Sequence, residues 1–346
     1  MASSAADVIG TEEELDERLT RPRPELCAFM QTLGPRLVIL GAGGKMGPTL
    51  AVLARRAADA ARHPLEVIAV SRFSDEATRQ WLETRGVQTL ALDLLDRAAV
   101  AGLPDARQVI YLVGYKFGTA QNPARTWAVN TLVPAHVAER YPQAAMVALS
   151  TGNVYPLVPA PGAGSMETDS LTPLGEYANA AVARERIFDF HAQKNGTPLV
   201  LLRLNYAVDL RYGVLVDIAR KVYTGQNVDV SMGYLNCIWQ GDANDMILRG
   251  VALAQQPALV LNLTGSAVLS VRALARRFGE LFDRPVPIAG IEANTALLSN
   301  SGRACALLGQ PPTSIEQMMR WTAHWIQQGG RLYDRPTHFQ TRDGHY

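Results

Sequence analysis

The chain has 346 residues, 48% hydrophobic and 19% charged, with a formal net charge of +1. That balance carries no electrostatic footprint for nucleic acid or an anionic membrane surface, and no apolar run approaches the ~18 residues a membrane helix needs. The opening stretch MASSAADVIGTEEELDERL bears acids where a secretory signal bears bases, so a cytoplasmic location is expected.

Residues 1–34 read as a polar leader with a helix around Glu12–Thr20, broken by RPRP. From residue 35 the pattern changes. RLVIL is a continuous apolar run, as a parallel strand buried on both faces requires. The turn GAGGKMG follows, then the helical spacing of PTLAVLARRAADAAR. Strand LEVIAV, a helix at 75–85, strands VQTLAL and QVIYLVG, and a helix over 123–140 come next, the last opened by Asn122 and Pro123 as cap and first-turn residue. Strand AAMVALS, a helix over 176–194 and strand PLVLLRL complete the alternation, which predicts an α/β, Rossmann-like doubly wound parallel sheet.

Beyond residue 205 the regularity weakens. GVLVDIARKVYTG reads as a helix, NVDVSM and NCIWQ as short strands, and DANDMILRGVALAQ as a helix capped by Asp242. Strand ALVLNLT, helix 271–282 and a last helix over 312–328 follow. The expected organisation is a cofactor domain over 35–205, a smaller substrate lobe over 206–330 interleaved with 151–175, and a polar tail over 331–346. Cys27, Cys237 and Cys305 are widely spaced and read as free thiols, and the six histidines show no HxxxH or HExxH spacing, so no metal site is predicted.

The most specific motif is VILGAGGKMGPTLA. Gly41, Gly44 and Gly47 follow a strand and open a helix. The first allows a tight turn, the second lets a pyrophosphate approach the backbone, and the third lets helix and strand pack closely, with Lys45 and Met46 between them. A P-loop is excluded, because Ile39 stands five positions before Gly44 and Met46 follows Lys45. A dinucleotide cofactor is therefore expected. The second strand ends in Ser71 and Arg72, with no acid until Asp75. Serine and arginine suit a 2′-phosphate, so NADP is favoured, with NAD as the alternative. Asp93, beside Leu94, ends the third strand and is placed to accept from an adenine amino group; Val113 and Gly114 after the fourth strand complete the expected cofactor rim.

These landmarks, with Asn130 in VNTLVPAHV, LSTGNVY (149–155), Tyr177 and LRLNYAV (202–208), make residues 36–310 resemble the extended short-chain dehydrogenase/reductases, the NAD-dependent epimerase/dehydratase group. The resemblance implies a small-molecule substrate, a homodimer through a helix bundle, and a set of catalytic residues. Thr151, or Ser150 in its place, would polarise a substrate oxygen. Tyr177 would pass a proton to or from it, and Asn130 would orient the proton relay.

The pattern departs from the group at one position. A lysine belongs four residues after the tyrosine, and the chain has Ala181. A free tyrosine titrates near about 10, so its phenolate lies roughly 4 kcal/mol from dominance at neutral pH. Alcohol oxidation needs that phenolate; carbonyl reduction needs only the phenol. Lys116, after the fourth strand, is a candidate surrogate cation, and Arg184 lies one turn further along the tyrosine's helix face. On the substrate side, YLNCIWQGDAN (234–244) lacks the basic residue that sugar-nucleotide members carry there, whereas Asn205, Tyr206, Arg211 and Tyr212 suit hydroxyl and anionic groups. The expectation is an NADP-preferring oxidoreductase, epimerase or dehydratase acting on a sugar or sugar acid without a nucleotide. A redox-inactive cofactor-binding sensor and a redox-neutral lyase or isomerase are the alternatives.

Overall fold

The structure is a computed structural model and describes residues 8–116, 118, 121–333 and 335–344. Among the described residues, the main sheet contains β1 (Arg36–Leu40), β2 (Glu66–Ser71), β3 (Gln88–Ala91), β4 (Gln108–Tyr111), β5 (Ala145–Thr151), β6 (Leu199–Leu204) and β7 (Leu259–Leu263). All pairs are parallel, in the order β7-β6-β5-β4-β1-β2-β3. The direction of winding therefore reverses between β1 and β4, and the crevice beyond their carboxyl ends is where such a sheet takes a ligand.

The helices are α1 (Glu12–Thr20), α2 (Pro24–Met30), α3 (Gly47–Ala60), α4 (Glu76–Glu83), α5 (Arg97–Ala101), α6 (Pro123–Arg140), α7 (Gly175–Asn195), α8 (Val214–Tyr223), α9 (Gln240–Gly250), α10 (Val271–Phe282), α11 (Gly302–Leu308) and α12 (Ile315–Gln327). Strand periodicity sends Leu37 and Ile39 to one face of the sheet, where they join Leu26, Met30, Leu50, Leu53 and Ile247 from α2, α3 and α9. Val38 and Leu40 go to the other, against Val133, Val137 and Phe188 from α6 and α7. Both faces are covered, which is why β1 reads as an unbroken apolar run.

A second core belongs to the smaller lobe, where Ile218, Val222, Phe278, Phe282, Trp321 and Trp325 pack together. Leu15 and Leu19 of α1 enter this core, while Leu26 and Met30 of α2 enter the first. The N-terminal segment thus ties the two lobes together. Arg56 pairs with Glu17 at 2.7 Å, Arg23 with Asp245 at 2.6 Å, and the Trp81 indole donates to Asp16 at 3.1 Å.

Two local expectations need correction. RPRP ends α1 but also starts α2, because a proline fits a first helical turn whose N–H groups have no intrahelical acceptor. Asp242 does not cap α9, which begins at Gln240; its carboxylate instead accepts from the Thr313 N–H at 3.0 Å. Helices α5 and α11 are too short to show a hydrophobic period. Cys27, Cys237 and Cys305 are free thiols, and no helix among the described residues is long and apolar enough to cross a membrane.

Candidate functional site

The glycine turn has a distinct steric demand at each glycine. Gly41 has φ +84°, and a Cβ there would lie 2.9 Å from a Val113 methyl, so the exits of β1 and β4 touch. At Gly47 a Cβ would come within 2.4 Å of the Ala42 carbonyl, so α3 packs directly on the turn. At Gly44 the nearest atom is the Gly41 carbonyl at 3.4 Å, with the rest open. The residue that precedes α3, Met46, makes no side-chain cap. An accessible backbone beside uncapped N–H groups at a helix start is the arrangement that accepts a pyrophosphate. The residues present therefore fit a dinucleotide.

Around that turn, Ser71 Oγ lies where a Cβ on Gly43 would meet it at 2.6 Å, and Arg72 is exposed. Asp93 is exposed, with one carboxylate oxygen accepting from the Leu95 N–H at 3.0 Å; Leu94 is buried. Lys45 reaches across the crevice. Its Nζ donates to the Ala207 carbonyl at 2.6 Å and sits 4.7 Å from the centre of the Tyr212 ring.

Lys116, Tyr177 and Tyr212 belong to the same neighbourhood. Burial pulls both Lys45 and Lys116 down to about 8, and the charge of Lys45 lowers Lys116 further, while Asp209 and Asp217 act in the opposite direction on Lys45 and Lys116 respectively. Burial raises the Tyr212 phenol, and Asp217 and Tyr177 beside it add to the rise. Tyr177 itself is 7% exposed. The tyrosine predicted as proton donor and the lysine predicted as surrogate cation thus flank one cluster.

The other predicted catalytic residues divide. Thr151 Oγ1 donates to Asn153 Oδ1 at 2.9 Å and accepts from the Asn153 N–H at 3.2 Å, at the turn that leaves β5. The Ser150 hydroxyl donates to Glu185, which forms a buried ion pair with Arg203 at 2.7 Å; Arg203 also donates to the Tyr155 hydroxyl at 2.7 Å, and Tyr155 to Asn262 at 2.8 Å. That network binds β5, β6, β7 and α7 together and gives Ser150 a structural role. Asn130 is fully buried and donates to the Thr126 carbonyl at 2.8 Å and the Tyr115 carbonyl at 3.3 Å.

Ala181 is fully buried against Val154 and Tyr155. Core side chains occupy its surroundings. One turn on, Arg184 is 3% exposed; its Nη1 donates to the Val113 carbonyl at 2.9 Å and to Asn130 Oδ1 at 3.1 Å, and its Nε has no hydrogen-bond partner among the described residues. A Cβ on Gly114 would come 3.0 Å from Nη1, so a glycine at 114 keeps room for the guanidinium.

Of the four predicted substrate residues, Tyr212 joins the cluster. Arg211, expected to receive an anion from the substrate, instead holds carboxylates of this chain: Glu12 at 3.0 Å, Asp16 at 3.1 Å and Asp209 at 3.6 Å. Asn205 is buried and donates to Asn236 at 3.4 Å. Tyr206 has φ +48° and packs on the second core. Sequence reading missed Asp209 and Asp217. Both are ordinary polar positions along the chain, and only the return of α8 toward the crevice gives them meaning.

The NAD dependent epimerase/dehydratase family model matches residues 37–230. Among solved structures, a UDP-glucose 4-epimerase from Thermus thermophilus in complex with NAD is similar over 84% of this chain and 99% of that one, at 19% identity and TM-score 0.68. A UDP-glucuronic acid 4-epimerase from Bacillus cereus, in a complex with NAD, gives 85% and 99%, 14% identity and TM-score 0.70. A dTDP-glucose 4,6-dehydratase from Streptomyces venezuelae, with NAD bound, gives 85% and 97%, 15% and 0.69. No curated protein matches the sequence. The chain belongs to the NAD-dependent epimerase/dehydratase family.

Proposed function

We propose that this member of the epimerase/dehydratase family is an NADP-preferring enzyme acting on a small polyhydroxylated carbonyl compound, a sugar or sugar acid without a nucleotide. The observation that carries the reading is the open backbone at Gly44 and the uncapped start of α3, set across the crevice from Tyr177 and Tyr212. A nicotinamide cofactor bound there supplies or accepts the hydride.

The chain's own groups do the rest. Tyr177 holds the proton at the reacting oxygen, and Thr151 orients that oxygen. Lys116 is the cation offered to this neighbourhood in place of the lysine whose position Ala181 holds. Asn130 fixes the loop after β4 through the Tyr115 carbonyl. Carbonyl reduction, or a transient oxidation followed by epimerisation or dehydration, suits this set. Ser71 and Arg72 support the 2′-phosphate preference. The absence of Arg and Lys from 234–244 supports a substrate without a nucleoside diphosphate. Exposed Trp127, Leu132 and Phe190 on α6 and α7 support a homodimer through those helices.

The burial of Ala181 against Val154 and Tyr155 favours a second reading, a cofactor-binding protein that performs no hydride transfer. Calorimetric titration with NADPH and NADH, followed by absorbance assays on a panel of keto-sugars, separates the two. NADPH should bind more tightly than NADH, and Arg72→Ala should erase the difference. Tighter NADH binding by the native protein would sink the NADP preference. Cofactor binding without turnover on any keto-sugar would favour the second reading.

A further inference from the structure

The C-terminal tail does not hang free of the catalytic cluster. The Thr337 N–H and hydroxyl both donate to one carboxylate oxygen of Asp217, at 2.8 and 2.6 Å. Asp217 is the residue whose charge reaches both Lys116 and Tyr212. Phe339 is 3% exposed in the core of the smaller lobe. Arg342 donates to the Thr295 carbonyl at 2.8 Å and to its hydroxyl at 2.6 Å. The tail then meets the first residue of α7, two positions before Tyr177, backbone against backbone. A Cβ on Gly344 would lie 2.3 Å from the Leu174 carbonyl oxygen, and one on Gly175 would lie 2.2 Å from the Gly344 carbonyl oxygen. Both glycines have φ +77°.

We propose that residues 335–344 form the outer wall of the substrate site and set the size of substrate it accepts. The segment is anchored on Asp217 at one side of the Tyr177–Tyr212 cluster and on Gly175 at the other. Where it meets α7 there is no room even for a methyl group, so no part of a ligand passes between them. A monosaccharide-sized polyhydroxy carbonyl compound is enclosed by this wall, whereas a substrate carrying a bulky substituent must displace it. The inference rests on the small-substrate reading above and extends it to named residues outside the span of the family match. Wall contacts also exclude water from the reacting position, which strengthens every charge interaction inside.

The test does not require a cofactor. Tetranitromethane nitrates accessible tyrosines, and peptide mass spectrometry reads each one. In the native protein Tyr177 and Tyr212 should react slowly relative to Tyr223 on α8. Gly344→Val puts a branched side chain at a positive φ and against the Leu174 carbonyl. It should lift the tail and speed nitration of Tyr177 and Tyr212 at least ~10-fold, with Tyr223 unchanged. The double variant Thr337→Val, Arg342→Gln loosens the tail without a clash and should act in the same direction. In the keto-sugar panel, both variants should gain at least ~10-fold in relative kcat/KM for sugars bearing a bulky glycosidic substituent. Unchanged nitration in both variants overturns the wall. Faster nitration with an unchanged size preference overturns the specificity role. Failure of the native protein to bind NADPH or NADH would sink the enzymatic reading instead, and the nitration result would still stand.

Discussion

Arg184 reaches back along α7 to place its Nη1 3.1 Å from Asn130 Oδ1 and 2.9 Å from the Val113 carbonyl. Helical side chains lean toward the N-terminus, so the guanidinium lies level with the turn that holds Ala181. It brings a positive charge near the carboxyl end of β4. Through Asn130 it also braces the loop that carries Tyr115 and Lys116.

Removing that brace should be costly. Arg184→Gln leaves the Val113 carbonyl and the buried Asn130 Oδ1 without their charged donor, a loss of about 1.5–3 kcal/mol. Urea denaturation should show it. Gly114→Ala, whose Cβ would sit 3.0 Å from Nη1, should weaken cofactor binding with a smaller loss of stability. Calorimetry with NADPH checks the second effect, and equal affinity in the alanine variant would dissociate Arg184 from the cofactor loop.

Tyr177→Phe keeps the ring and removes the proton. If Tyr177 is the general acid, turnover should fall by roughly 10²–10⁴, with cofactor affinity little changed. Steady-state kinetics and a cofactor titration on the same preparation check both halves. Full activity in the variant would make the tyrosine a packing residue and bring the non-redox reading forward.

Ala181→Lys places a long cation among Val154 and Tyr155 at a fully buried position. Overpacking of this kind costs about 1–3 kcal/mol, and burying a charge adds to it. The expected outcome is a destabilised protein whose pH optimum for alcohol oxidation does not move down. A downward shift with undiminished turnover would mean that the site accepts the missing lysine and that its loss was simple.

Lys45 and Lys116 make a signed pH prediction. Both have folded values of about 8, below the ordinary lysine range, because burial disfavours their charge. Between pH ~8 and ~10 the unfolded chain binds more protons than the folded one, so stability rises with pH in that window. Below pH ~8 both are charged and the penalty is fully present. Lys116→Met should therefore raise stability at pH 7 and flatten the rise above pH 8, while lowering turnover. Urea midpoints at pH 7, 8, 9 and 10, compared with the native protein, test it. Parallel curves for the two proteins would contradict the buried-cation account.

How much of this was legible along the chain follows from the range of the interactions. The strand–turn–helix at 36–60 declares itself because its determinants are local: an apolar run, glycines where a positive φ and close backbone approach are needed, and a helical period after them. Helices α1, α6 and α10 were readable to within a residue or two, α6 through the Asn122–Pro123 pair at its start. Tyr177 and Asn130 were singled out by their place within a known pattern. The reach of Arg184, the capture of Arg211 by Glu12 and Asp16, and the seating of Thr337 on Asp217 join residues 54 to 199 positions apart. No periodicity or composition encodes such pairings. Each exists because burying a charge or a polar group is costly unless a partner meets it, and which partner arrives is decided only when the sheet, the second lobe and the two terminal segments close on one another.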